Sequence, residues 1–289
     1  MCSTLTGVGV DPRRSSILCG DNLDLMRSMP DAAFRLIYTD PPFNTGRARE
    51  RRTLQTAADA GGDRTGFAGR RYRTTELARL VYPDAYPDYP AFLEPRLREM
   101  HRLLDGQGTL YLHLDYREAH YVKVLLDAIF GRACFLNEII WAYDYGAKPT
   151  RRWPAKHDTI LVYVRDPERY LFDAEAVDRE PYMAPGLVTA DKAARGKRPT
   201  DTWWHTIVSP TGREKTGYPT QKPEGVVRRM VQASTRSGDP VLDPFAGSGT
   251  LGAVAAACGR PFTLIDCNPE AIAVMERRLG LPARAPRTA

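Results

Sequence analysis

The chain has 289 residues, enough for one large α/β domain carrying an insertion and a full core. Its 43% hydrophobic and 26% charged residues are ordinary for a soluble globular protein, and no apolar run reaches the ~20 residues that cross a bilayer. The opening MCSTLTGVGVDPRRSS lacks the cationic start and apolar core of a secretion signal. The five cysteines (Cys2, Cys19, Cys134, Cys258, Cys267) form no C-x-x-C pair, so neither a zinc site nor a disulfide framework is expected, and no metal. A cytoplasmic protein is the expectation.

The 41 basic and 35 acidic residues leave a net charge of +6, concentrated in two places. Residues 47 to 73 hold eight arginines against Glu50, Asp59 and Asp63, and the run KPTRRWPAK (148 to 156) holds four cations and no acid. Such local excess suits a polyanion, and equally a solvated loop.

In chain order, Ser16 to Cys19 reads as a strand running through Gly20-Asp21 into a short helix, and Phe34 to Thr39 as a second strand. That strand must stop at Asp40-Pro41-Pro42, because two prolines cannot continue a central ladder. Residues 47 to 87 show little periodicity and read as a long, mobile, exposed basic loop. A helix is predicted near Ala91 to Leu104 with Pro95 in its first turn, then a strand over Thr109 to Leu114. The helix Arg117 to Phe130 carries Val122, Leu125, Leu126 and Ile129 on one face. Strands at Glu138 to Tyr143 and Thr159 to Val164 follow. Residues 165 to 217 are polar and weakly periodic and read as an insertion beyond the core sheet.

The last third, 218 to 280, is regular again. Lys222-Pro223-Glu224 opens a helix with proline at its first position. Pro240 to Asp243 reads as a buried strand entering Pro244-Phe245-Ala246-Gly247-Ser248-Gly249-Thr250, with a helix running on to Cys258. Phe262 to Ile265 forms a strand ending at Asp266, and Asn268 caps the final helix before a frayed tail. The alternation predicts a single domain over 1 to 289 with a doubly wound, mostly parallel, Rossmann-like α/β sheet.

Gly247 to Gly252 formally matches G-x-G-x-x-G, with Asp266 placed to meet a ribose. A dinucleotide dehydrogenase and an S-adenosylmethionine enzyme share that logic. Only about 40 residues follow the loop, whereas dinucleotide folds open with it and continue for several units. Asp243 also suits an α-ammonium better than a pyrophosphate. Both points disfavour NAD.

Asp40-Pro41-Pro42-Phe43 stands at a strand's carboxyl end, where open α/β sheets place their ligands. An exocyclic base amine is a poor nucleophile because its lone pair is delocalised into the ring. A carboxylate (Asp40) and a carbonyl (Pro41) accepting its two N–H bonds draw the nitrogen toward sp³ geometry. The prolines fix the carbonyl's direction and Phe43 offers a stacking face.

With these motifs, the segments ILCGDNLDLM…LIYTDPPFNTG, WAYDYG…KHDTILVYVRD, DTWWHTI…TGYPTQKPEGVVRRMV and VLDPFAGSGT…FTLIDCNPEAI resemble the β group of amino-directed DNA methyltransferases, in that family's order, with the catalytic tetrapeptide before the cofactor loop. The resemblance implies a class I methyltransferase fold with permuted motifs and transfer of a methyl group from S-adenosylmethionine to adenine N6 in duplex DNA by base flipping and direct attack. N4 of cytosine is the alternative base, and a non-catalytic DNA-binding subunit or an RNA or protein-amide methyltransferase are alternative classes.

By the same resemblance Asp40, Pro41, Pro42 and Phe43 hold the base. Asp243, Phe245, Gly247, Ser248, Gly249 and Thr250 hold the methionine part of the cofactor, Thr220 and Lys222 its carboxylate, Asp266 and Cys267 the ribose, and Asp21 and Asn22 flank the adenine. Asp21 equally suits a helix cap, and Lys222 a solvated cation at a helix start. Arg47, Arg49, Arg51, Arg52, Arg70, Arg71 and Arg73 are expected to grip phosphate, with Arg151, Arg152 and Lys156 as a second grip. The segment 165 to 217 corresponds to the target-recognition region and offers Lys192, Arg195, Lys197 and Arg198. Trp203 and Trp204 read as packing aromatics. A second copy of the chain, a cognate restriction endonuclease and a place at the bacterial nucleoid are carried as expectations by the resemblance alone.

Overall fold

The computed structural model describes residues 10–46, 49–59, 61, 64–65, 71–82, 84–146, 148–209 and 211–284; within 49–58, 64–65, 72 and 74–82 only the backbone is described. The chain divides into two compact units, one of residues 1–41 and 90–289, the other of residues 42–89.

The larger unit is built on a nine-stranded sheet in the order β12-β1-β11-β10-β2-β6-β8-β7-β9. Its first elements are β1 (Ser16–Cys19), α1 (Asn22–Arg27) and β2 (Phe34–Thr39). The helix α2 (Tyr89–Leu103) begins at the boundary between the units, and β6 (Leu104–Leu114), α3 (Ala119–Phe130), β7 (Phe135–Ala142) and β8 (His157–Val164) follow. The last third adds α4 (Ala190–Arg195), β9 (Thr202–Trp204), α5 (Glu224–Ser234), β10 (Val241–Asp243), α6 (Thr250–Ala257), β11 (Phe262–Asp266), α7 (Pro269–Leu279) and β12 (Ala283–Arg284). From β12 to β6 all neighbours are parallel; β8 runs antiparallel to β6 and β7, while β9 lies parallel to β7. Strands of a parallel sheet are covered on both faces, which is why β2, β10 and β11 read as short, mostly apolar runs. Leu36, Tyr38, Val241 and Leu264 of the sheet pack in one core with Val227, Met230, Leu251 and Met275 of the helices. No helix among the described residues is long and apolar enough to cross a membrane.

The smaller unit is a three-stranded antiparallel sheet, β3 (Arg49–Ala58), β4 (Arg64–Thr65) and β5 (Arg71–Tyr82), in the order β3-β5-β4. The stretch 47 to 87, expected as a loop within a single domain, is therefore mostly strand: β3 and β5 pair from Arg49↔Tyr82 to Ala58↔Tyr72, with a register shift at Thr53/Leu54. Backbone hydrogen bonds along this ladder supply the order that the missing apolar alternation did not announce.

Other boundaries also move. Pro95 lies inside α2 rather than in its first turn. Pro223 is the N-cap of α5, not its first helical residue. The tail supplies β12, which pairs with β1, and the insertion returns β9 to the sheet edge beside β7.

Candidate active site

Two neighbouring parallel strands set the site. β10 pairs with β2 in the register Val241↔Leu36 and Leu242↔Ile37, so the residues after each strand leave the sheet at the same carboxyl edge. After β2 stand Asp40 and Pro41, the last residues of the larger unit's first segment; after β10 stands the glycine loop. Pro42 and Phe43 open the smaller unit.

Asp40 Oδ2 accepts a hydrogen bond from the ammonium of Lys222, and the pair is mostly shielded from solvent. Lys222, expected at the cofactor's carboxylate, is thus drawn to the Asp40 carboxylate, and it is no solvated cation, being only 9% exposed. Its backbone carbonyl accepts from Thr250 Oγ1 at 3.1 Å, which ties the lysine to the start of α6. Thr220, two residues earlier, is exposed and holds a left-handed backbone, φ 61°, beside Gly217 at φ 82°. Gln221 closes that turn by accepting from the Thr216 amide and hydroxyl at 2.9 and 2.8 Å and donating to the Glu214 carbonyl at 2.7 Å.

The glycine loop is held from both sides. Asp266 Oδ2 accepts the Gly247 N–H at 2.8 Å, and its Oδ1 accepts the Asn268 N–H at 2.9 Å. Gly247 (φ 50°) and Gly249 (φ 74°) adopt left-handed backbone that side chains disfavour. A Cβ on Gly249 would stand 2.8 Å from Met275 Cγ, so the loop lies close upon α7. Asn268 caps α7 as expected, accepting the Glu270 N–H at 3.0 Å. Ser248 and Thr250 are buried and their hydroxyls lie 3.2 Å apart.

Asp243 is almost wholly buried at the end of β10, its Oδ1 accepting the Phe245 N–H at 3.0 Å. Burial pushes its carboxyl well above the usual range; the charges of Asp40 and Asp266 add to the rise, while the Phe245 N–H and Lys222 oppose it. Asp266 is likewise raised by burial, against hydrogen bonds from Asn268, Gly247 and Cys267. Three carboxylates thus converge on this edge, and a cationic ligand would relieve two of them. A pyrophosphate would aggravate both. Cys267 is exposed just past Asp266.

Asp21 and Asn22, expected beside an adenine, are held within the fold. Asp21 caps α1, accepting the Leu23 N–H at 2.8 Å, and Asn22 donates to the Pro244 carbonyl at 2.8 Å. Arg96 of α2 binds both, donating to Asn22 Oδ1 at 2.7 Å and to Asp21 Oδ2 at 3.1 Å, with its guanidinium 4.1 Å from the Phe92 ring centre. Phe92 in turn meets Phe245 edge-on at 6.2 Å. Behind the edge, Tyr38 OH is 3.1 Å from His113 Nδ1, and His113 Nε2 is 3.2 Å from Asp158, which also accepts from Tyr143 OH at 3.2 Å. Burial would raise Asp158, but His113 and Lys222 outweigh it and hold the carboxyl below its ordinary range.

Arg96, His113, Asp158 and Arg278 were not anticipated. Arg278 donates to the Ser248 carbonyl at 3.1 Å and to Glu224 Oε1 at 2.6 Å, bracing the glycine loop against α5. Sequence separations of 30 to 75 residues leave no local pattern to find such partners.

The expected DNA contacts are scattered. Arg151 and Arg152 are exposed between β7 and β8, and Lys156 donates to the Gly146 carbonyl at 2.8 Å. Lys197 is paired with Glu180 at 3.0 Å, and Arg198 with Glu175. Lys192 and Arg195 are exposed on α4. In the smaller unit, Arg71 and Arg73 are exposed, Arg73 pairing with Asp59 at 2.8 Å; Arg49, Arg51 and Arg52 lie on β3. Arg47 and Arg70 lie outside the described residues. Trp203 is buried as expected, but Trp204 is 65% exposed.

Comparison with known proteins accords with this geometry. The chain is 29% identical to the Type II methyltransferase M.HpaI of Haemophilus parainfluenzae, over 91% of this chain and 73% of that protein. It is also 29% identical to the DNA adenine methyltransferase YhdJ of Escherichia coli (strain K12), over 94% and 86%. The crystal structure of the M1.HpyAVI–SAM complex superposes with a TM-score of 0.59 at 20% identity, over 92% of this chain and 99% of that one, which marks a shared class I methyltransferase fold. A family model described as DNA methylase, covering N6 and N4 methyltransferases, matches residues 34–277, and the chain belongs to that family.

Proposed function

We propose that the chain transfers a methyl group from S-adenosylmethionine to the N6 amine of adenine in duplex DNA. The observation that carries this reading is the single edge shared by β2 and β10, which brings Asp40 and Pro41 beside the glycine loop. Likeness to a DNA adenine methyltransferase along most of both chains favours adenine over cytosine.

The cofactor, when bound, supplies a methyl group on a cationic sulfur. The donor set suits it: Asp243 is buried and Asp266 half-buried, both carboxyls are raised by desolvation, and the two left-handed glycines keep the loop free of side chains. Asp243, Phe245, Gly247, Ser248, Gly249 and Thr250 hold its methionine part, Asp266 and Cys267 its ribose, and Thr220 its carboxylate, with Lys222 shared between that carboxylate and Asp40.

Asp40 accepts one N–H of the target amine and the Pro41 carbonyl accepts the other, so the nitrogen lone pair leaves conjugation and points at the methyl carbon. Lys222 orients the Asp40 carboxylate through Oδ2. The new C–N bond forms as the C–S bond breaks, and the amine's proton passes to Asp40 or on to solvent. By sequence position, Pro42 and Phe43 complete the base-holding tetrapeptide. Exposed Arg71, Arg73, Arg151 and Arg152 neutralise phosphates. A cognate restriction endonuclease, a homodimeric state and work at the nucleoid belong to the same reading.

The test is Asp40→Asn. Methyl transfer to duplex DNA should fall on the order of 10²- to 10⁴-fold, while binding of S-adenosylhomocysteine by calorimetry stays within about threefold of wild type, a near-neutral change in free energy. A variant that keeps full turnover contradicts the assignment.

A further inference from the structure

Removing a base from a duplex leaves a gap, and the cost of unstacking falls when a planar group fills it. The larger unit exposes several aromatic side chains, Tyr145 and Trp204 (both 65%) among them, and Trp153 is the most exposed. Trp153 is 94% exposed, whereas Trp141 and Trp203 are buried in the core. It lies on the loop from residue 143 to 156 that joins β7 to β8.

Register fixes where that loop leaves the sheet. Thr39 of β2 is level with Leu112 of β6, Leu114 is level with Thr159 of β8, and His157 is level with Ala142 of β7. Both ends of the loop therefore stand at the carboxyl edge of β2, the edge that carries Asp40. Only β6 lies between β2 and β8, so the loop is rooted about 10 Å from Asp40's strand at ordinary strand spacing. The loop's surroundings suit DNA and no apolar partner: Arg151 and Arg152 immediately precede Trp153, both exposed, and the Arg152 guanidinium lies 5.9 Å from the Tyr116 ring centre. Lys156 closes the loop at its base through the Gly146 carbonyl, and Pro154 limits the backbone just after the indole.

We infer that Trp153 is the wedge that enters the duplex and stacks in the space vacated by the target base, with Arg151 and Arg152 anchoring the flanking phosphates. This rests on the base-flipping reading above and adds to it a residue that acts on the duplex rather than on the amine. Stacking of an aromatic side chain on a base is worth about five- to a hundredfold in affinity.

The experiment uses the full-length enzyme and two duplexes containing its methylation site, mapped beforehand by sequencing DNA the enzyme has modified. In one the target base is correctly paired; in the other it faces an abasic site, so no pair has to be broken. Trp153→Ala should lower kcat/KM on the paired duplex by about ten- to a hundredfold and on the abasic duplex by less than about threefold, with Trp153→Phe near wild type on both. Equal losses on both duplexes, or no loss on either, overturn the inference, the first assigning Trp153 to folding, self-association or phosphate contact. DNA left unmodified by the wild-type enzyme in the mapping step refutes the methyl-transfer reading itself, a distinct result.

Discussion

Asp243 shows how the site trades stability for binding. A carboxyl whose folded pKa is raised ionises at a cost, so its contribution is intact at pH values below the ordinary carboxylate range and is lost as pH rises toward the folded value. Asp243→Asn should therefore raise the melting temperature of the cofactor-free protein at pH 7 and flatten its decline above about pH 4, while S-adenosylhomocysteine binding falls at least tenfold, about 1.4 kcal/mol. An unchanged pH profile of melting, followed by calorimetry, contradicts the burial argument. The residue types of the site were legible as motifs because Asp-Pro-Pro-Phe and the glycine loop are contiguous. Lys222's partner was not, because Asp40 lies 182 residues away and only the fold joins them. The buried Tyr38–His113–Asp158–Tyr143 chain escaped for the same reason.

At the scale of elements, the turn between β10 and α6 depends on glycine twice over. Gly249→Ala imposes left-handed backbone on a side chain and sets its Cβ 2.8 Å from Met275 Cγ. A loss of about 2–5 kcal/mol is expected, combining about 1–2 kcal/mol of conformational strain with overpacking of about 1–3 kcal/mol; a denaturant midpoint equal to wild type contradicts it. Strands β2 and β10 and the Asn268 cap were readable from apolar runs ending in turn residues, since buried parallel strands leave that trace. β3 and β5 were not: arginine and threonine fall at odd and even positions alike, so no period-two stripe exists and the ladder is held by backbone pairing. β12 escaped because two residues are too few to carry any period.

For the whole molecule, the division into residues 1–41 with 90–289 and residues 42–89 falls within Asp40-Pro41-Pro42-Phe43, between Pro41 and Pro42. The basic, aperiodic composition that begins near Arg47 sets this stretch apart in the sequence, but without a hydrophobic period it reads as a loop of the same domain. Salt dependence of DNA affinity follows the number of phosphates that cations neutralise, and cations without an internal ion pair are the ones expected to count. Arg151 and Arg152 make no ion pair with the described residues, so replacing both with alanine should reduce the slope of log affinity against log salt by about 2. Lys197 and Arg198 are already paired with Glu180 and Glu175, and replacing them should leave the slope unchanged; the reverse pattern in filter binding contradicts the assignment. The central claim concerns the product. Labelled S-adenosylmethionine should be incubated with unmethylated bacterial DNA and the digested nucleosides resolved by mass spectrometry, with Asp40→Ala in parallel. N6-methyladenine should form with the wild type and be absent with the variant. N4-methylcytosine, or label left wholly outside DNA, would contradict it.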